Sequence, residues 1–447
     1  MEAKRKRLLG VELVGGVNRR NAVAALYASF VSLGILNFMH FAQPYLLLDV
    51  VGLEQDYIGR FTGYLASWVE FLTMFITVLV GIWADKIGRR ALYAAAMVLI
   101  AFGYTGMVVV QGQVDFIVYR TVLGIGAAFI GTLMGLTMVD YPWETSRGKW
   151  AAMNSVMNGI GVVAVAMGVT KLPAYLESGG YADSVAMQIT LAGLVLWALA
   201  TAVILRTGLI TGLNDVTKGN SHETTGKMLR MGLTASGKNP RVLLSYLLFV
   251  VSRADMVVLS LYFTLWVQEY ARGAGVSPIE AVAKAGMLFA LIQVASLLWG
   301  PVYGYLLDRF DRLFYTVIAL FMAGFGYVAL GFIENPLADN VYVVCILVGM
   351  GQISVILATQ SVIGQEAPVD RRGTVIGIAA FCGTIGIFLT SLVGGLVYDM
   401  WMPSAPMVVF GALNLLVMLP ALYIWFRYSG SVRPRHRAGD IDAVQHV

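Results

Sequence analysis

"GIWADKIGRR" (Gly81–Arg90) and "GYLLDRFDR" (Gly304–Arg312) are two versions of one short segment. Gly81 aligns with Gly304, Asp85 with Asp308 and Arg89 with Arg312, each at an offset of 223. Further along, Arg147-Gly148 aligns with Arg372-Gly373 and Gly161 with Gly386, at an offset of 225. A nearly constant shift of half a 447-residue chain means a duplicated unit, both copies in the same orientation.

What surrounds the two segments decides the solvent. The chain is 58% hydrophobic and only 13% charged, with a mean hydropathy of +0.75, whereas soluble domains carry about 25% charged residues. Uncharged runs recur, among them 91–110, 121–139, 150–170, 313–333, 341–365, 374–398 and 401–426. Each can cross a hydrocarbon core, which takes roughly 20 helical residues. Barrel strands would read polar at every second position, so the spans are helices. The pattern predicts an all-α, multi-pass membrane protein with twelve transmembrane helices in two six-helix halves.

Twelve spans put both termini on one side, and Lys and Arg choose it. Segments expected on that side hold 25 of the 31 Lys and Arg residues. The expected layout is a basic cytoplasmic N-terminus (1–22), a first bundle (23–205), a cytoplasmic linker (206–241), a second bundle (242–428) and a cytoplasmic tail (429–447). The expected location is the inner (cytoplasmic) cell membrane. "MEAKRKRLLG" starts like a signal peptide, but no apolar stretch and cleavage site follow it closely. The sequence pI near 9.0 reflects loop charges beside anionic lipid, dispersed too widely to form a nucleic-acid-binding face. Cys345 and Cys382 fall inside separate spans, so no disulfide framework, metal cluster or cofactor is expected.

The repeated segment resembles the signature loop of the major facilitator superfamily: glycine, aspartate, a basic residue, then Gly-Arg-Arg. "YRTVLGIGAA" (Tyr119–Ala128) resembles a second motif of that family through Arg120, Gly124 and Gly126. The resemblance implies the major facilitator fold, alternating access and a monomer. It also implies a gating motif of Gly81, Asp85, Arg89, Arg90 and Asp140, with a degenerate copy at Gly304, Asp308 and Arg312. Asp85, Arg89 and Asp140 would form a charge latch favouring the outward-facing state, and spans 1, 4, 7 and 10 would line a central cavity. Span 5, "MNGIGVVAVAMG" (Met157–Gly168), lacks the Gly-Pro pair of the family's proton-driven drug antiporters, and sugar-porter signatures are not evident. In physical terms, Gly81 and Gly88 are expected to let a neighbouring helix approach closely.

Charge within spans is expensive and marks function. Glu70 and Asp255 are the carboxylates near span centres, Arg120 and Arg253 lie within spans, and His40 is the intramembrane histidine. Arg253 and Asp255 are two positions apart, about 200° around a helix, so they must face different neighbours. Glu70 aligns with Gln293 at the 223 offset, a titratable group in one half and its neutral isostere in the other. The proton-coupling candidates are therefore Glu70, Asp255, Arg120 and His40. Asp255 is placed on a cavity-lining span, and Asn37 is weighed as a hydrogen-bond partner for Glu70. The substrate-binding candidates are Arg253, Asn37, Gln43, Asn158, Gln293, Gln352 and Gln360, any of which could instead bond helix to helix. The planar fork of Arg253 suits a carboxylate or phosphate.

The leading expectation is a secondary active transporter for a small organic solute, organic anions included, with protons as the coupling ion. The alternative is an exporter of amphipathic compounds, drugs or lipids in the same fold. No ATP-binding loop and no hydrolase or metalloprotease signature occurs, so neither a primary pump nor an enzyme is expected.

Overall fold

The structure is a computed structural model describing residues 7–210, 239–366 and 372–428, without the side chains of Asp85, residues 372–374 or Tyr428. Most of the linker and the tail, along with the Asp85 side chain and the Arg372-Gly373 match, therefore lie outside the described residues.

Among the described residues, twelve helices are long and apolar enough to cross a membrane. They are α1 (Arg19–Val50), α2 (Ile58–Ile87), α3 (Arg89–Val108), α4 (Gln113–Asp140), α5 (Arg147–Met167), α6 (Asp183–Gly208), α7 (Pro240–Gly273), α8 (Pro278–Arg309), α9 (Arg312–Gly331), α10 (Asn340–Glu366), α11 (Arg372–Met400) and α12 (Ala405–Tyr428). Their packing repeats the sequence duplication. In the first half α1 packs on α5, α2 on α4, and α3 on both α4 and α6. Six helices later α7 packs on α11, α8 on α10, and α9 on both α10 and α12. Across the halves α2 packs on α11 and α8 on α5, the two equivalent contacts of a pseudo-two-fold.

Local chemistry sets the helix ends. Asn239 accepts from the Arg241 N–H ahead of Pro240, and the Ser277 hydroxyl accepts from the Glu280 N–H ahead of Pro278, satisfying otherwise orphaned donors. Pro44 sits inside α1, and the helix widens into a π-type turn at Leu46–Val50 just beyond it. A second π-type turn, Val258–Phe263, interrupts α7 shortly after Arg253 and Asp255.

Gly88 has a φ of 95° and separates α2 from α3. Its requirement is conformational, because a Cβ on Gly81, Gly88 or Gly304 would meet nothing within 4 Å. The expected close approach at Gly81 and Gly88 is thus corrected. The tight crossing is elsewhere, at Gly34 of α1 and Gly161 of α5, where a Cβ on Gly161 would fall 1.8 Å from the Phe30 carbonyl oxygen.

The N-terminal segment is more than a basic leader. Strands β1 (Arg7–Leu8) and β2 (Val11–Glu12) form a hairpin whose turn residues, Leu9 and Gly10, both have positive φ. The chain then bridges to the α4–α5 connection: the Val14 N–H donates to the Tyr141 carbonyl, the Trp143 N–H to the Glu12 carbonyl, and the Glu12 N–H to the Ser146 hydroxyl. Val11, Leu13 and Val17 are buried beneath it.

We call the face carrying this hairpin, Arg89 and Arg312 the basic face. Hydrogen bonds and ion pairs join the halves in the opposite part of the molecule. There Arg60 and the Gly59 and Arg60 backbone N–H groups bind Asp399, Arg272 pairs with Asp49, the Gln268 amide donates to the Phe41 carbonyl, and Ser67 donates to the Phe388 carbonyl. The halves are joined on the opposite face.

Candidate functional site

Partly exposed polar side chains of α1, α2, α4, α7, α8 and α10 are the candidates for a central space between the halves. On α1, residues 33, 36, 37 and 40 are partly exposed at three- and four-residue spacing, one helical stripe. On α7 the exposed stripe is Arg253, Met256, Val257 and Ser260. Asn37 and His40 belong to the first stripe and Arg253 to the second.

Arg253 of α7 and Glu70 of α2 feel each other's charge across the gap between the halves. They do not close into a direct ion pair among the described residues; the Arg253 guanidinium rests instead 3.6 Å from the Met256 sulfur. Its stem lies on Gly383 of α11, where a Cβ would stand 2.9 Å from the Arg253 Cγ. Gly383 therefore sets the room for Arg253, a role invisible without the α7–α11 contact.

Arg120 of α4 has different company. Its Nε donates to the Gln43 carbonyl oxygen at 3.3 Å, and the Gln43 amide donates to Thr62 of α2 at 3.2 Å. Among the described residues no carboxylate pairs with it. His40, one turn from Gln43, feels the Arg120 charge and leaves its Nδ1 without a partner.

Asp255 does not join them. It is fully buried, bonded to Asn414 of α12 at 2.8 Å, on the side of α7 away from Arg253. The expectation that it lines the cavity is corrected: two positions along a helix turn the side chains to nearly opposite sides, sending one residue of the pair outward and the other into the second bundle.

The amides divide. Asn37 spends its NH2 on the Leu33 carbonyl at 2.8 Å and not on Glu70. Gln43 and Gln352 are buried, and Gln43 serves Arg120 and Thr62, so its place is in helix packing and not in an open lining. Gln293 is half-buried and Gln360 exposed, and Asn158 has a buried carbonyl oxygen with no partner.

On the basic face Arg89, at the start of α3, pairs with Asp140, at the end of α4, wholly inside the first half. Arg90 beside it is half-buried. Tyr141 stacks on Trp150 with ring centroids 6.1 Å apart, and burial pushes its phenol up to about 12. In the second half Arg312 lies 3.8 Å from Asp308 and donates to the Gln365 carbonyl oxygen at 3.2 Å. Gln365 matches Asp140 at the offset of 225, so the second copy keeps the arginine and replaces the carboxylate by an amide.

A separate pocket of about 660 Å³ opens on the opposite face, lined by Gln55, Trp266, Glu269, Glu334 and Ser404 among others. It holds none of the sequence-predicted site residues.

Comparison with known proteins agrees with this architecture. A family model described as Major Facilitator Superfamily matches residues 23–391. The Magnetosome protein MamH of Paramagnetospirillum magneticum is 25% identical over 85% of this chain and 86% of its own. The Magnetosome protein MamZ of Magnetospirillum gryphiswaldense is 25% identical over 86% of this chain, which spans 59% of that longer protein. Among solved structures, a nucleoside transporter NupG mutant superposes with a TM-score of 0.70 at 13% identity, covering 90% of this chain and 99% of that one. A D-xylose-proton symporter superposes at 0.68 and 16%, covering 91% and 97%.

Proposed function

From the premise that this chain belongs to the major facilitator superfamily, matched over residues 23–391, we propose that it is a proton-coupled secondary transporter of small organic anions. That it is a multi-pass membrane transporter and not an enzyme follows from the family. What supports the finer reading is one observation: Arg253 of one half and Glu70 of the other feel each other's charge across the boundary between the halves.

An anion that docks on Arg253 takes the guanidinium away from Glu70. The carboxylate is then left beside a low-dielectric wall with no counter-charge, a state that neutralises by taking up a proton. Anion and proton load together and leave together, so a monovalent anion moves without net charge. Arginine gives the anion a planar, charge-assisted pair of hydrogen bonds. The likeness in fold to a D-xylose-proton symporter is compatible with this coupling, which is read from the residues of this chain. The same centre argues against the exporter of amphipathic compounds, because the Arg253 guanidinium is costly to desolvate against an apolar cargo.

Alternating access is the mechanism: the halves rock about the centre, opening the basic face and the opposite face in turn. We place the basic face in the cytoplasm on the Lys and Arg bias, the described state then being open to the cytoplasm. The likeness to MamH and MamZ supports a place in magnetosome-forming membranes. The test is flux into proteoliposomes holding the purified protein, with an imposed pH gradient and a panel of carboxylates and phosphate esters. Uptake of an anion that follows the proton gradient and carries no current supports the proposal; uptake indifferent to the gradient overturns it.

A further inference from the structure

We propose that Asp255 is a resident proton site, a neutral carboxylic acid locked to the Asn414 amide where α7 meets α12, apart from the carboxylate that couples transport. The argument is a count of hydrogens. Asn414 spends both amide hydrogens, one on the Asp255 Oδ1 at 2.8 Å and one on the Phe410 carbonyl at 3.1 Å. Its own carbonyl oxygen is buried with no donor, and so is the Asp255 Oδ2. Because both hydrogens are used, turning the amide over would break two bonds to form at most one. A single proton on the Asp255 Oδ2 supplies the one donor this pair lacks, closing the reciprocal acid–amide ring.

The surroundings favour no charge. Asp255 and Asn414 are each 0% exposed, and an uncompensated carboxylate in such a place costs far more than protonating it. From α9, Tyr327 donates its hydroxyl to the Asp255 backbone carbonyl at 3.2 Å and not to the carboxyl. From α12 only the neutral Asn414 reaches it. Among the described residues, no charged side chain of α10 or α11 forms an ion pair with it, and Arg253 on its own helix faces the other way. The pair lies at the α7–α12 contact inside the second bundle, where no rocking of the halves against each other uncovers it. The proton therefore fastens helices and does not cycle.

The experiment is infrared spectroscopy of the full-length protein in lipid, comparing wild type with Asp255→Asn, beside proton-driven flux. The expected result is a protonated-carboxyl stretching band present in wild type, absent from Asp255→Asn and still present in Glu70→Gln. It should not change from about pH 5 to about pH 7, a range in which an ordinary aspartate is ionised. Asp255→Asn keeps a neutral side chain and retains gradient-driven uptake, whereas Asn414→Leu, which strands the acid, lowers the thermal midpoint. No band assignable to Asp255, or a band that titrates across that range, overturns the proposal. So does loss of gradient-driven uptake in a stably folded Asp255→Asn protein. The infrared band and the thermal midpoint do not depend on Glu70, so the inference and the coupling scheme fail separately.

Discussion

Asp49 and Arg272 occupy equivalent positions of the two halves, at the offset of 223, and they pair with each other across the closed face. A residue bound to its own counterpart lies on the pseudo-two-fold axis. The contact breaks only when the halves separate there, so it acts as a clasp on the opposite face. Both side chains are partly exposed, and such a pair contributes on the order of 1 kcal/mol. Asp49→Asn should shift the population toward opening on the opposite face by roughly fivefold. Spin-label distances between residues 54 and 334 there, and between 149 and 310 on the basic face, would report it. Exchanging the charges, Asp49→Arg with Arg272→Asp, should restore the original distribution; failure to do so would mean the pair is incidental.

The second clasp is stronger. Asp399 is almost wholly buried and receives the Gly59 and Arg60 backbone N–H groups as well as the Arg60 guanidinium. Its loss strands donors at the start of α2. Asp399→Ala should widen the 54-to-334 distance more than Asp49→Asn does, and Arg60→Gln less than Asp399→Ala, because the backbone donors keep their acceptor.

Arg253→Lys retains charge and loses the fork. The expected effect is a roughly 10- to 100-fold weaker apparent affinity for the anion, matching about 1.5–3 kcal/mol for a hydrogen bond to a charged group, with the thermal midpoint unchanged. Gly383→Val tests the same site from behind. Its side chain must displace the Arg253 stem, so affinity should fall although no charge is altered. An affinity loss in neither variant removes Arg253 from recognition.

These residues show what the linear sequence carries and what it withholds. Twelve spans and two halves follow from apolar run length and the internal repeat, because both are properties of the chain alone. The divergence of Arg253 and Asp255 follows from helical geometry, though not which of them meets the cavity; that depends on whether α11 or α12 lies behind. Gln43 and Gln352 read as cavity donors because a polar residue in a span looks the same whether it faces water or another helix. The Asp49–Arg272 clasp has a usable signal, opposite charges at equivalent positions, but a count of basic residues treats Arg272 only as one that falls outside the basic segments. Gly383 offers none, since the space it leaves is filled by Arg253 of α7, a helix far from it along the chain.

The latch motifs make a paired prediction. Arg89–Asp140 is mostly buried, and removing one partner of such a pair costs about 3–5 kcal/mol. Arg312 and Gln365, their counterparts, are more exposed and bear one charge. Asp140→Asn should lower the thermal midpoint clearly, while Gln365→Glu, which recreates the carboxylate, should raise it only slightly. Equal effects from the two would show that burial does not govern the latch.

The same asymmetry separates the proposed coupling site from a matter of mere depth. Glu70 has Arg253 across the gap, and Gln293 is its counterpart in α8. Phe30 crosses Gly161 as Val250 crosses Gly386, which makes Leu33 the counterpart of Arg253, so a carboxylate at position 293 would have no matching guanidinium on α1. Glu70→Gln should abolish uptake driven by a pH gradient while leaving anion exchange, since Arg253 still binds the anion with no proton to follow it. Adding Gln293→Glu returns a carboxylate at matching depth on the other side of the centre. If coupling comes from competition between carboxylate and anion for Arg253, the double variant stays uncoupled. Recovery of gradient-driven uptake would show instead that any carboxylate at that depth suffices and that Arg253 plays no part in releasing the proton.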